Sequence, residues 1–261
     1  MKSVVRIFKN AYSALIFLFL YAPIAVLIIF SFNESKSRGA WGGFSLKWYE
    51  SLFNNSSIMT ALWNTVEIAV ISALVATVIG TFAAIGINSM KKLPQSVIMN
   101  VSYLPVLNAD IVTGVSLLIL FIFLGIPLGR ISLLLSHITF NIPYVILSVM
   151  PKLKMMNQHS YEAALDLGCT PMQAVMKVVM PEIMPGVITG AILAFTLSID
   201  DFVISFFTTG PGVNTLSIEI YSMVRRGIKP EINALSSLMF LTVLALLVVV
   251  NVRSERAARK N

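Results

Sequence analysis

Charge is what this sequence has least of. Only 12% of its 261 residues are Asp, Glu, Lys or Arg, against about 25% in an ordinary soluble domain. With 57% hydrophobic residues and a mean hydropathy of +0.84, that scarcity excludes a water-soluble enzyme. Cysteine is almost missing: Cys169 stands alone, so no internal disulfide can form. Histidine is confined to His137 and His159, and no Cys/His cluster has metal-ligand spacing, which removes zinc and redox chemistry. No G-x-x-x-x-G-K-[ST] run occurs, so ATP hydrolysis on a phosphate-cradling loop cannot be this chain's own work. There is no solenoid repeat, no low-complexity linker and no room for a second soluble domain, so residues 1–261 read as one membrane domain.

Long apolar runs are what is there. A spanning helix needs about 20 mainly apolar residues, and six windows qualify, 11–32, 62–88, 97–124, 131–150, 186–208 and 234–252. None of them contains Lys or Arg. The first follows Lys2, Arg6 and Lys9, but its apolar run is too long for a signal peptide and no A-x-A site follows. The net charge of +7 therefore sits in the connections and indicates orientation rather than a nucleic-acid partner. Twelve Lys/Arg fall in the amino end, the 89–96 turn, the 151–185 segment and the carboxyl tail, and seven in the other loops. The positive-inside rule places both termini in the cytoplasm. Arg225, Arg226 and Lys229 then lie outside, either solvated or against an acidic binding protein. Trp41, Trp48 and Tyr49 suit a membrane interface.

The segment 151–185 is the least apolar part of the chain and is punctuated for helices. Asn157 or Ser160 can cap a short helix running to Leu167, with Glu162 in its first turn, and Gly168 supplies the left-handed position beyond it. Thr170, Pro171 and Gln173 form a capping box for a second helix, which is expected to stop near Pro181, with Pro185 before the next span. Cys169 is a small junction residue between the two. Such a protrusion suits docking to a soluble partner.

Glu162-Ala163-Ala164, then Gly168, nine intervening residues and Val178-Val179-Met180-Pro181 resemble the E-A-A-x3-G-x9-I-x-L-P loop of ATP-binding-cassette importer permeases. Val178 and Met180 replace Ile and Leu of that pattern with residues of similar size and polarity. The resemblance implies an all-α integral membrane protein of six transmembrane helices, the type I importer permease (MetI-like) fold. It further implies that Glu162, Ala163, Ala164, Gly168 and Pro181 belong to a cytoplasmic coupling helix that enters a cleft on an ATPase subunit.

Four acids lie inside the expected spans, Glu67, Asp110, Asp200 and Asp201, with no basic residue there to pair with them. An Asp at mid-bilayer costs roughly 2.5–3.5 kcal/mol on insertion scales, so each marks a pathway or a protonated structural residue. Ala194, Ser198, Asp201, Ser205 and Thr208 share one stripe of the fifth span, with Asp200 about 100° away. Tyr103, Asp110 and Thr113 share a face of the third, and Glu67, near a helix end, can snorkel. A negative cavity with aromatic faces suits a polyamine, whose ammonium groups take carboxylates and cation–π contacts. His137 reads as a packed residue bonded to a neighbouring backbone carbonyl, with a ligand or proton relay as the alternative.

The stretches Leu20-Tyr21-Ala22-Pro23, Lys47-Trp48-Tyr49, Ala109-Asp110-Ile111-Val112, Ser136 to Phe140, Thr196 to Asp201, Thr209-Gly210-Pro211 and Ile220 to Val224 resemble the permeases of spermidine/putrescine importers. That resemblance implies that Tyr21, Trp48, Asp110, Ser198, Asp200 and Asp201 line the substrate path. It implies as partners a cytoplasmic ATPase dimer carrying ATP and Mg²⁺, a homologous second permease and an extracytoplasmic polyamine-binding protein, in a bacterial inner membrane. No cofactor or metal is expected on this chain. Rival readings are a permease for another solute such as an amino acid, an intramembrane aspartyl protease using Asp110 and Asp201, and a passive cation channel.

Overall fold

The computed structural model describes residues 2–36, 40–227 and 230–258; Lys229 of the basic cluster lies outside them. Every named element is helical: α1 Lys2–Ser31, α2 Lys47–Asn54, α3 Ser56–Asn88, α4 Lys92–Leu107, α5 Asp110–Phe123, α6 Arg130–Met155, α7 Gln158–Asp166, α8 Pro171–Ala174, a π-helical turn Val175–Val179, α9 Met180–Asp200, α10 Val203–Thr208, α11 Leu216–Arg226 and α12 Glu231–Ala258. This is the all-α class that the apolar runs require, because a backbone in lipid must satisfy its own hydrogen bonds.

Among the described residues, four helices are long and apolar enough to cross a membrane, 9–31, 56–88, 130–155 and 171–200, and α4 with α5 makes a fifth if the bent pair is one span. The sixth expected window falls in α12, whose described apolar part, Glu231–Ala245, is shorter. The third window is not one straight helix. Asn108 and Ala109 are extended (ψ 153° and 137°) and the axis turns by 106° there, so Tyr103 on α4 and Asp110 on α5 do not share a helix face. The fifth window also breaks, since Asp201 is extended (φ −64°, ψ 125°) between α9 and α10.

The chain divides into two compact units, residues 1–59 with 220–261, and residues 60–219. In the first, α12 packs on α1 and α2. The turn after α1 is organised by Asn33, whose amide donates to the Ala40 carbonyl (2.8 Å) and accepts from Gly42 N–H (2.7 Å), while its backbone carbonyl accepts the Trp48 indole N–H (2.7 Å).

In the second unit α6 is the central helix. Gly186, Gly190 and Ala194, spaced four apart on α9, are all buried, so one stripe of small residues lets the α9 backbone approach α6. A side chain at Gly190 would come within 3.2 Å of Val145 Cα, and one at Gly186 within 3.0 Å of the Ser148 carbonyl. On α3, Gly80 meets Val145 in the same way, at 2.8 Å. Val145, Val149, Leu153, Ile183 and Ala194 form the apolar core between these helices.

Candidate functional site

The coupling segment is more continuous than its prolines suggest. Asn157 caps α7, accepting His159 N–H at 3.1 Å, and Gly168 follows with φ +87°, a conformation that favours glycine. Thr170 caps α8, and its side chain and that of Gln173 exchange hydrogen bonds with each other's backbone N–H (3.4 and 3.0 Å), which is the expected box. Glu162, by contrast, lies beyond the first turn of α7, which holds no acid, and sits 3.3 Å from His159 Nδ1 in an exposed pair.

The helix does not stop at Pro181. Met180 N–H bonds the Val175 carbonyl, an i→i+5 register, and α9 starts afresh with Pro181 in its first positions. A proline there loses no required N–H bond, so the π turn carries the helix past it. Residues 171–200 are thus one apolar helical run. Glu162, Ala163, Leu167, Gly168, Met172 and Pro181 are exposed, whereas Ala164 is buried. A cavity of about 490 Å³ lies beside them, lined by Asn88, Leu153, Tyr161, Glu162, Val175 and Val179 among others.

The acids fall into different surroundings. Glu67 is not unpaired: it forms an ion pair with Arg130, the first residue of α6, one position before the fourth expected window. Asp110 is the first residue of α5, exposed at the 106° bend, where the helix amino terminus favours a negative charge. Asp200 ends α9 and is exposed.

Asp201 does not face open water on the stripe with Ser198 and Ser205, as the spacing implied. Its side chain is only 6% exposed. One oxygen accepts Ile204 N–H at 3.1 Å and the other Ser205 N–H at 2.7 Å, so Asp201 caps α10 across the helix break. His137 Nε2 lies 3.6 Å from the same carboxylate and 3.1 Å from Ser205 Oγ, and His137 Nδ1 is 2.6 Å from Ser198 Oγ. His137 therefore bonds side-chain hydroxyls, not a backbone carbonyl. Ser198 continues to Ser72 Oγ on α3 at 3.1 Å, and Asn141 donates to Ser72 Oγ at 3.4 Å. Nothing in a linear pattern brings α3, α6 and α10 together, so Ser72, Asn141, Ser205 and this histidine are not legible as a set in the sequence.

Residues 76–259 match the family described as "Binding-protein-dependent transport system inner membrane component". The chain belongs to that family. It is 41% identical over 245 residues, 94% of this chain and 92% of the other, to the spermidine/putrescine transport system permease protein PotC of Escherichia coli strain K12. It is 38% identical to the protein of that name from Haemophilus influenzae, with 97% of each chain covered, and 39% identical to the putrescine transport system permease protein PotI of E. coli K12, with 85% and 82% covered. A crystal structure of a bacterial ABC transporter importing the acidic polysaccharide alginate shares the fold, with a TM-score of 0.73 at 17% identity over 98% of this chain and 96% of that one. The chain is thus a multi-pass membrane permease of the ABC importer class.

Tyr21 and Trp48 belong to the first unit. Tyr21 is 54% exposed and stacks on Phe17 at 6.3 Å between ring centroids. Trp48 is 5% exposed with its N–H committed to Asn33, which leaves little ring surface for a ligand.

Proposed function

We propose that this chain forms half of the translocation pathway of a polyamine importer, with six spans and both termini in the cytoplasm, acting as one permease domain. The observation that carries the substrate class is the 41% identity over 94% of the chain to a permease named for spermidine and putrescine. The exposed carboxylates of Asp110 and Asp200 support it, because each stands at a helix break where a diamine's ammonium group can meet a carboxylate. Asp110 and Asp200 are the pathway carboxylates of the second unit, Ser198 and Asp201 stand behind them as buried support, and Tyr21 is the exposed aromatic of the first. Trp48 acts by holding the Asn33 turn.

Glu162, Ala163, Ala164 and Gly168 present α7 to a cytoplasmic ATPase dimer, and Pro181 lets the movement of that helix pass into α9 without a break. ATP and Mg²⁺ reside on the ATPase; this chain carries no cofactor. A homologous permease supplies the other half of the path, since two ATPase clefts need two docking helices, and an extracytoplasmic binding protein delivers the substrate. Import then follows from a difference in substrate affinity between the outward and inward facings.

The test is uptake of radiolabelled spermidine and putrescine by proteoliposomes holding all four components. Losing one charge-assisted contact is worth about 1.5–3 kcal/mol, so Asp110→Asn and Asp200→Asn are expected to raise KM about tenfold or more. Unchanged polyamine uptake in both variants, or no uptake by the wild type while an amino acid enters, overturns the substrate assignment.

A further inference from the structure

Asp200 and Asp201 are neighbours in sequence and opposites in surroundings. Asp200 is exposed, and no hydrogen bond or ion pair among the described residues engages its carboxylate. Asp201 is sealed, with both oxygens bonded to backbone N–H groups of α10 and His137 beside one of them. A carboxylate held this way has little to offer an ammonium group arriving through water.

His137 explains how a sealed acid is held at a break in a helix. It is 2% exposed and stands between two hydroxyls, Ser198 Oγ at 2.6 Å from Nδ1 and Ser205 Oγ at 3.1 Å from Nε2. A neutral imidazole has one donor and one acceptor nitrogen, and one direction of donation links the group, with Ser72 Oγ giving its proton to Ser198 rather than to the Ala69 carbonyl 3.3 Å away and Asn141 Oδ1 taking no part. Asn141 donates to Ser72, Ser72 to Ser198, Ser198 to His137 Nδ1, and His137 Nε2–H points to Ser205 Oγ and the Asp201 carboxylate. The chain of donors starts on α6, passes through α3 and α9, and ends on the negative charge at the α9–α10 break. Breaking any link of this buried chain leaves a polar group without its partner, which holds α3, α6, α9 and α10 to one arrangement.

We infer that His137 is a positioning residue: through Ser198, Ser205 and Asp201 it fixes the break after α9, so that Asp200 alone of the pair faces the substrate path. This rests on the polyamine reading of the site. Asp201 then serves as a cap and charge terminus, and Ser198 acts through the histidine rather than on the substrate.

The test compares KM and maximal rate of spermidine uptake by the complete transporter for Asp200→Asn, Asp201→Asn, His137→Leu and His137→Gln. Asparagine keeps one of the two acceptors that hold α10, so Asp201→Asn is expected to raise KM less than Asp200→Asn, which raises it about tenfold, a loss near 1.4 kcal/mol. His137→Leu is expected to raise KM like Asp200→Asn, with His137→Gln, which restores a donor and an acceptor, largely rescuing it. If Asp201→Asn raises KM as much as Asp200→Asn and His137→Leu leaves it unchanged, Asp201 binds substrate directly and the inference is wrong. A second arm keeps the two readings apart, using Asp200→Cys in a Cys169→Ser background, which has no other cysteine. Its labelling rate by a cationic thiosulfonate is expected to change several-fold with His137→Leu and not with His137→Gln. Wild type without polyamine uptake but with that labelling pattern defeats the substrate reading alone; labelling indifferent to both substitutions defeats the positioning role.

Discussion

At the scale of single residues, the positions that tolerate least are those where one atom decides the geometry. Gly210 lies against the carbonyl of Leu128, so a methyl group there has no space. Thr208 beside it accepts a hydrogen bond from Ser132 Oγ through its carbonyl (2.8 Å), which pins the same turn. Gly210→Ala is expected to cost about 1–3 kcal/mol, the range for overpacking, and thermal unfolding of the detergent-solubilised complex checks it. Trp48→Phe removes the donor to Asn33 and leaves a carbonyl unbonded, an expected loss of about 1–3 kcal/mol. Its uptake KM should stay near wild type if Trp48 is scaffold. The Glu67–Arg130 pair is different, because its side chains are 26% and 55% exposed. Exposed pairs contribute about 0–1 kcal/mol, so Arg130→Gln is expected to leave the unfolding temperature almost unchanged.

At the scale of elements, two features decide how the second unit holds together. The first is the small-residue stripe of α9 against α6. Gly190→Leu forces a branched side chain where Val145 Cα is 3.2 Å from the position of a first carbon. The two helices are expected to separate, visible as loss of monodisperse complex on size exclusion. The second is the cap and π turn joining the coupling segment to α9. Thr170→Ala removes one side of the capping box, an expected cost of about 1 kcal/mol on α8. Because α8, the π turn and α9 form one continuous run, loosening its start should lower substrate-stimulated ATP hydrolysis while substrate affinity is kept.

At the scale of the whole molecule, the proposed importer works through subunits besides this chain. The chain has no G-x-x-x-x-G-K-[ST] run, so once purified it is expected to show no ATP hydrolysis, checked by phosphate release. In the complete transporter, Glu162→Ala on the exposed face of α7 should leave basal ATP hydrolysis by the ATPase subunits intact and remove its stimulation by substrate-loaded binding protein. Stimulation at the wild-type level would show that another surface, such as the exposed Leu167 and Met172, carries the contact.

The sequence by itself determined the class and much of the local detail. Low charge and long apolar runs demand a helical membrane protein, since only such segments satisfy their own backbone in lipid. Asn157, Gly168 and the Thr170–Gln173 box read correctly because caps are set by residues a few positions apart. The breaks at Asn108–Ala109 and at Asp201 were not legible, because apolar windows measure composition and a kink is a property of a few dihedral angles. Pro181 misled for the converse reason: its effect depends on the register of the turn before it. Only the tertiary structure decided which acids are exposed and which are held. Asp200 and Asp201 differ by one position, yet one is open and the other is buried on α10 beside a histidine more than sixty residues away in sequence. Contacts at that separation are set by how α3, α6 and α9 pack, and no local pattern of residues encodes them.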